Sequence, residues 1–285
     1  MLKQRVVTAA VLLPLVLAAI FFVPTEALVW GFFAIFILAG REWGNIISPN
    51  CNATRLTFAL TIGILMLAVI FLVPVSEYWY LGRLNPILLA IILVGVGWWL
   101  AASLMVAMYP NGAKIWRNSP MWMSIFGQLT LLPAFVSLCV LKSMVSNQSE
   151  YFGAWLLLAV MLIVWAADTG AYFVGRKWGK IKLMPKVSPG KTFEGFLGGL
   201  VTTMIPVTIY HSFVPQSEWI PMVIIAVVTA VASALGDLSE SMFKRNANIK
   251  DSGSILPGHG GVLDRIDSLT AALPVFILMY LLLWT

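Results

Sequence analysis

The chain has 285 residues, 60% of them hydrophobic and only 11% charged, with 18 bases against 12 acids and a formal net charge of +6. A soluble domain carries roughly 25% charged residues. So much apolar surface therefore belongs in a bilayer rather than under a hydrated shell, and the basic balance reads as cytoplasmic loops beside anionic lipid, not as a nucleic-acid surface. The two cysteines, Cys51 and Cys139, lie far apart, form no metal-ligand spacing and are not expected to pair.

In chain order, MLKQRVVTAAVLLPLVLAAIFFVP starts basic and turns apolar, as a signal peptide does. Its apolar run is long, it has no A-x-A cleavage site and further spans follow, so it reads as a retained first helix that also directs insertion. Spans are predicted near 6–23, 27–40, 56–75, 86–108, 120–141, 151–174, 195–215, 219–236 and 269–284. The second is short and extends toward REWGNIISP. Pro14, Pro133 and Pro206 fall inside spans, where helices in membranes tolerate them. The fold class is all-α, a polytopic transmembrane bundle of about nine spans. Residues 1–150 supply N-terminal helices, and 151–285 supply C-terminal helices with two loops, 175–194 and 237–268.

Charge sets the topology. With the N-terminus in the cytoplasm and nine alternating spans, the outer segments hold only Arg83 and Lys142 of the 18 bases. That asymmetry is what the positive-inside rule demands, and merging the first two spans would scramble it. Both long loops then face the cytoplasm. No internal repeat of the inverted-transporter kind is visible.

The first loop and the span before it read WAADTGAYFVGRKWGKIKLMPKVSPGKTFEGFLGG. Asp168 sits within a span or at its mouth, where an acid is costly unless it is paired or binds a cation. Six bases follow, interleaved with glycines. Ser188, Lys191 and Thr192 of SPGKT offer hydroxyls and an ammonium just before a helix, as phosphate cradles do. The P-loop spacing fails, because Pro185 stands where its first glycine belongs. Read blandly, the lysines anchor a span against anionic lipid; Asp168, Glu194 and SPGKT are what that reading leaves unexplained.

The second loop carries five of the 12 acids: Asp237, Glu240, Asp251, Asp264 and Asp267. Glu240 and Lys244 are four apart and would pair on a solvated helix face if the helix continued. Asp237 follows SALG at the membrane boundary with no base beside it in sequence. Asp264 and Asp267 share a helix face, Arg265 another, and Gly258, Gly260 and Gly261 bracket His259. Carboxylates from separate segments suit Mg²⁺, which accepts one or two of them and fills its shell with water and phosphate. With no second soft ligand nearby, His259 reads as a phosphate or loop contact, not a zinc ligand. Acids for a metal, bases for phosphates and glycines for close backbone approach make up the inventory for phosphoryl or nucleotidyl transfer to a membrane-dissolved acceptor.

Ser241-Met-Phe-Lys-Arg, Lys250-Asp251 and Leu256-Pro-Gly-His-Gly-Gly-Val-Leu-Asp-Arg-Ile-Asp267 resemble the signature of the phosphatidate cytidylyltransferases (CDP-diacylglycerol synthases). The upstream block, Asp168-Thr-Gly-Ala-Tyr, Gly175-Arg176, Ser188-Pro and Lys191-Thr-x-Glu194-Gly, is similar to that family as well. The likeness extends over the whole chain, its specificity lies in the C-terminal half, and the N-terminal third carries no usable pattern. The resemblance implies the reaction CTP + phosphatidate → CDP-diacylglycerol + pyrophosphate, dependent on Mg²⁺, with K⁺ as a candidate for the same centre. It implies Asp237 and Asp264 as metal ligands, supported by Asp267 and Asp168. Lys244, Arg245, Lys250 and Arg265 would hold phosphates. Ser188, Lys191, Thr192 and Glu194 would meet the nucleotide or headgroup, and Ser241, Asp251, His259, Gly260 and Gly261 complete the substrate-binding set. The expected location is a bacterial cytoplasmic (inner) membrane with the site facing the cytoplasm. CTP, phosphatidate and the bilayer are the partners, nucleic acid is not, and a homodimer stays open. The rival readings are a CTP-dependent polyprenol kinase, which would need a base for a lipid alcohol, and a cation transporter using Asp168 and Asp237. A CDP-alcohol phosphotransferase is set aside because its D-G-x-x-A-R pattern is missing.

Overall fold

The computed structural model describes residues 2–146, 149–214, 217–256, 258 and 260–284, with side chains from residue 10 onward. Among the described residues ten α-helices follow one another: α1 (Leu2–Phe22), α2 (Thr25–Ile47), α3 (Asn52–Leu72), α4 (Pro86–Ala107), α5 (Pro120–Ser143), α6 (Phe152–Trp178), α7 (Phe193–Thr202), α8 (Met204–Phe213), α9 (Trp219–Asn246) and α10 (Leu263–Leu283). Two short antiparallel hairpins interrupt them, β1 (Trp79–Tyr80) with β2 (Arg83–Leu84) and β3 (Lys182–Met184) with β4 (Ser188–Thr192). Among the described residues eight spans are long and apolar enough to cross a bilayer, α7 and α8 together forming one of them. The described apolar part of α1, Ala10–Phe22, is shorter. The all-α polytopic bundle is thus confirmed. Along α3, Leu56, Leu60, Ile64 and Phe71 are all more than half exposed, a one-sided apolar stripe of the kind that meets lipid rather than water.

The helices form two compact units that interleave in sequence. The first comprises the chain up to Gly95, Trp116–Leu158 and Lys244–Ile266; the second comprises Val96–Ile115, Ala159–Phe243 and the chain from Asp267 on.

In the first unit, glycines let α2 lie against its neighbours without a gap. A Cβ on Gly44 would stand 2.5 Å from Arg55 Cα, and one on Gly40 would stand 2.7 Å from an Ile62 methyl. This small-xxx-small face belongs to α3. A second face of α2 meets α5, where Trp43 Nε1 donates to Met123 O at 2.8 Å and Gly127 leaves room for the indole. Trp43, Phe36, Ile62, Met66 and Phe135 are buried around this contact.

In the second unit, α7 lies against α6 through Gly195, Gly198 and Gly199; a Cβ on Gly199 would come within 2.7 Å of Ala167 O. The glycines of GFLGGLV are therefore used inside the chain. Thr202 Oγ1 donates to Ala166 O at 2.8 Å. Beyond it the helix breaks at Thr203, because Pro206 has no N–H to offer the carbonyl of Thr202 and is tolerated only in the first turn of α8. On α9, Gly236 packs against Ala271 and the Asp267 carbonyl of α10.

Candidate active site

The expected loop 237–268 is smaller than its sequence suggested. Helix α9 does not stop at Asp237; it runs on to Asn246, and α10 starts at Leu263. Asp237, Glu240, Ser241 and Lys244 thus share one helix, and Asp264 and Asp267 share another. The end of α9 is set by Asn248, which adopts the left-handed conformation at φ 56°. Ile249 N then bonds Lys244 O at 3.0 Å and Asn248 N bonds Arg245 O at 3.1 Å, the paired bonds of a Schellman cap. Lys250, Asp251 and Arg265 are exposed, as is Arg245, which donates to Ile249 O. His259 lies outside the described residues.

In the first unit, the remaining loop is drawn around two buried carboxylates. Lys244 Nζ lies 2.7 Å from Asp264 Oδ1, the two side chains being 9% and 5% exposed. Asp264 also accepts Ser252 N at 3.1 Å on both oxygens and Gly261 N at 2.8 Å. Gly260 has φ 79°, and a Cβ there would meet Asp264 Oδ2 at 2.7 Å, so its glycine identity is required twice over. The second carboxylate comes from α2. Glu42, 4% exposed, accepts Val262 N at 3.0 Å, Leu263 N at 2.7 Å and the Ser252 hydroxyl at 3.2 Å. Its charge meets the positive end of α10, where first-turn N–H groups have no intrahelical partner. Gly253 and Gly261 make room for it; a Cβ on either would fall 2.4 Å from a Glu42 oxygen. Lys244, expected to meet Glu240, lies against Asp264. Glu240 itself is buried, not on a solvated face.

In the second unit, Asp237 has a base beside it in space although none stands near it in sequence. Lys191 Nζ lies 2.6 Å from Asp237 Oδ2, each side chain 29% exposed, and Ser241 Oγ donates to Oδ1 at 3.3 Å. Asp168 on α6 is exposed and within electrostatic reach of both Asp237 and Lys191. The β3–β4 hairpin delivers Lys191, with Ser188 at the other end of β4. Thr192 caps α7, its hydroxyl accepting Gly195 N at 3.1 Å. Glu194 binds back to Lys180 N at 3.0 Å and Ile181 N at 3.2 Å, holding the hairpin to the helix start. Lys180, Lys182 and Lys186 remain exposed along the hairpin.

Sequence reasoning brought out Asp168, Lys191 and Asp237, which the structure gathers, and Lys244 with Asp264, which it pairs. Asp267 is on α10 in the second unit and half-buried. Glu42 was missed. Its signal was present, since it is an acid inside an apolar span, and such a residue is a candidate by default. Among the described residues no three acids, histidines or cysteines cluster as a ready-made metal cage.

In the second unit, Asp237 with Lys191 from a basic hairpin equips an integral membrane enzyme for anionic substrates. The chain matches the cytidylyltransferase family model over residues 3–283 and belongs to that family. It is 41% identical to a phosphatidate cytidylyltransferase of Haemophilus influenzae, across 98% of this chain and 99% of the relative. To the protein of the same description from Pseudomonas aeruginosa it is 40% identical, across 97% and 96%. With that of Bacillus subtilis it shares 40% identity over 150 residues.

Proposed function

We infer that this chain carries out the phosphatidate cytidylyltransferase reaction, moving the cytidylyl group of CTP onto phosphatidate to give CDP-diacylglycerol and pyrophosphate. The observation that carries this reading is likeness at 40% identity or above along nearly the full chain to relatives described by that activity.

The chemistry fits the residues. A phosphatidate oxygen, already anionic, attacks the α-phosphorus of CTP; the bond to the bridging oxygen breaks and pyrophosphate departs with its electron pair. No protein nucleophile or base is needed, which agrees with a site of acids and ammonium groups. Lys191 and the exposed lysines of the β3–β4 hairpin offer charge to phosphate oxygens at the membrane boundary. Asp237 fits a hard divalent cation, since among the described residues its Oδ1 is engaged by the Ser241 hydroxyl alone, at 3.3 Å. Asp264 spends its oxygens on Lys244, Ser252 and Gly261. We therefore put Mg²⁺ on Asp237 and keep Asp264, and K⁺ beside it, on the strength of the resemblance alone. When bound, Mg²⁺ supplies neutralisation of phosphate charge.

We propose that the site faces the cytoplasm of a bacterial inner membrane. Counting α7 and α8 as one span gives nine alternating segments, and that count leaves only Arg83 and Lys142 on the outer side. A homodimer, where formed, would use faces other than Gly195, Gly198 and Gly199, which serve α6.

The test is a mixed-micelle assay of the purified protein with labelled CTP, phosphatidate and Mg²⁺, alongside Asp237→Asn. Label entering a lipid product with wild type, and lost with Asp237→Asn or EDTA, is the expected result. Transfer to a polyprenol in place of phosphatidate, or ion flux in liposomes without transfer, overturns the reading.

A further inference from the structure

We propose that α2 is the positioning element of the active-site loop, with Glu42 as its principal residue and Asn45 as its second. The inference rests on the reading of Asp264 as an active-site acid.

Ser252 is a buried loop residue whose three polar groups are each held by a different side chain. Its N–H goes to both oxygens of Asp264, its hydroxyl goes to Glu42 Oε2 and its carbonyl accepts Asn45 Nδ2 at 3.0 Å. Asn45 is oriented in turn, since its Oδ1 accepts from Arg55 Nη2 and from Asn50 N. Two of the three groups holding Ser252 thus belong to a helix more than 200 residues earlier in the chain.

Glu42 does more than hold Ser252. It accepts the N–H groups of Val262 and Leu263, which fixes where α10 starts and hence where Asp264, one residue on, projects. The loop between Ser252 and Leu263 is pinned at both ends by the same carboxylate. Gly253 and Gly261, where a side chain would collide with Glu42, show that the loop is shaped around it. The helix can supply such a fixed point because three of its faces are committed: Gly40 and Gly44 to α3, Trp43 to α5 and Glu42 to the loop.

A residue that only contributed stability could be replaced by any group satisfying the same donors. A positioning residue cannot, because an error of about 1 Å at a reacting group costs roughly 10²-fold in rate. Glu42→Gln separates the two. Its single carbonyl oxygen cannot serve both ends of the loop, and its amide brings a donor to where N–H and O–H groups already point.

The experiment compares wild type with Glu42→Gln, Glu42→Asp, Asn45→Ala and the double variant Glu42→Gln/Ser252→Ala, all as full-length protein in detergent. Three readouts are taken: thermal midpoint, limited trypsin cleavage at exposed Lys250, and kcat and KM for CTP. Glu42→Gln should lower kcat by about 10- to 100-fold, leave KM within twofold and speed cleavage at Lys250, with the protein still folded. Asn45→Ala should show the same pattern more weakly, and the double variant should be little worse than Glu42→Gln alone. Wild-type kcat and cleavage in Glu42→Gln overturn the proposal. So does a lowered midpoint with unchanged activity per folded molecule, which would make Glu42 a stability residue only. Wild-type protein that makes no CDP-diacylglycerol would instead sink the functional reading, and the trypsin comparison would still decide whether Glu42 holds the loop.

Discussion

Replacing Lys244 by methionine removes the ammonium from a pair whose side chains are 9% and 5% exposed. With so little solvent at either group, screening does little to soften the loss. Deleting one partner of a buried pair costs roughly 3–5 kcal/mol, because the remaining charge is left in a poor dielectric. Asp264 keeps the N–H groups of Ser252 and Gly261, which places the expected loss at the lower end, about 3 kcal/mol. At roughly 2 °C per kcal/mol for a chain of this size, Lys244→Met should lower the thermal midpoint in detergent by about 6 °C. The control is Lys244→Met/Asp264→Asn, in which neither charge of the pair remains. It should be more stable than additivity predicts by at least about 1 kcal/mol, a coupling typical of residues in direct contact. A single variant within about 1 °C of wild type, or a strictly additive double variant, would refute the picture of Lys244 as the neutralising partner of a buried acid.

The Lys191–Asp237 pair should behave in the opposite way. Both side chains are 29% exposed, so the pair contributes at most about 1 kcal/mol to stability. Asp237→Asn should leave the thermal midpoint nearly unchanged while activity falls by roughly 10²-fold or more; the mixed-micelle assay run beside a melting curve checks both. Gly44→Ala forces a methyl toward Arg55 Cα at 2.5 Å, where backbone cannot give way cheaply, and should cost about 1–3 kcal/mol by thermal unfolding. Thr192→Ala removes the acceptor for Gly195 N and should cost about 1 kcal/mol as a lost N-cap, read by the same melt.

Hydropathy found the spans because lipid contact imposes a composition that survives without any partner. It placed their ends poorly at α9, since Asp237, Glu240 and Lys244 look like the start of a loop when only polarity is scored. The helix continues because its cap is Asn248, a backbone device that polarity does not register. At the site, acids standing out from an apolar background were legible one by one. Their pairing was not. Lys191 and Asp237 are 46 residues apart, and nothing local says which lysine of the hairpin turns inward. Glu42 was readable in principle as a lone acid inside a span, but its meaning depends on N–H groups at the start of α10, and backbone donors have no letter in the sequence.

The bond between Glu42 and Leu263 closes a loop of 221 residues. During synthesis α2 enters the membrane early, and the groups that satisfy its buried carboxylate are made almost last. Until the chain reaches Leu263, Glu42 is an acid short of part of its donor set, at a cost of several kcal/mol in an apolar setting. A chain cut short before α10 therefore cannot build a half-working site. The Val262 and Leu263 donors that Glu42 needs are the same groups that fix the far end of the loop from Ser252. The last stretch of the polypeptide and one of its first membrane helices are thus joined through a single side chain.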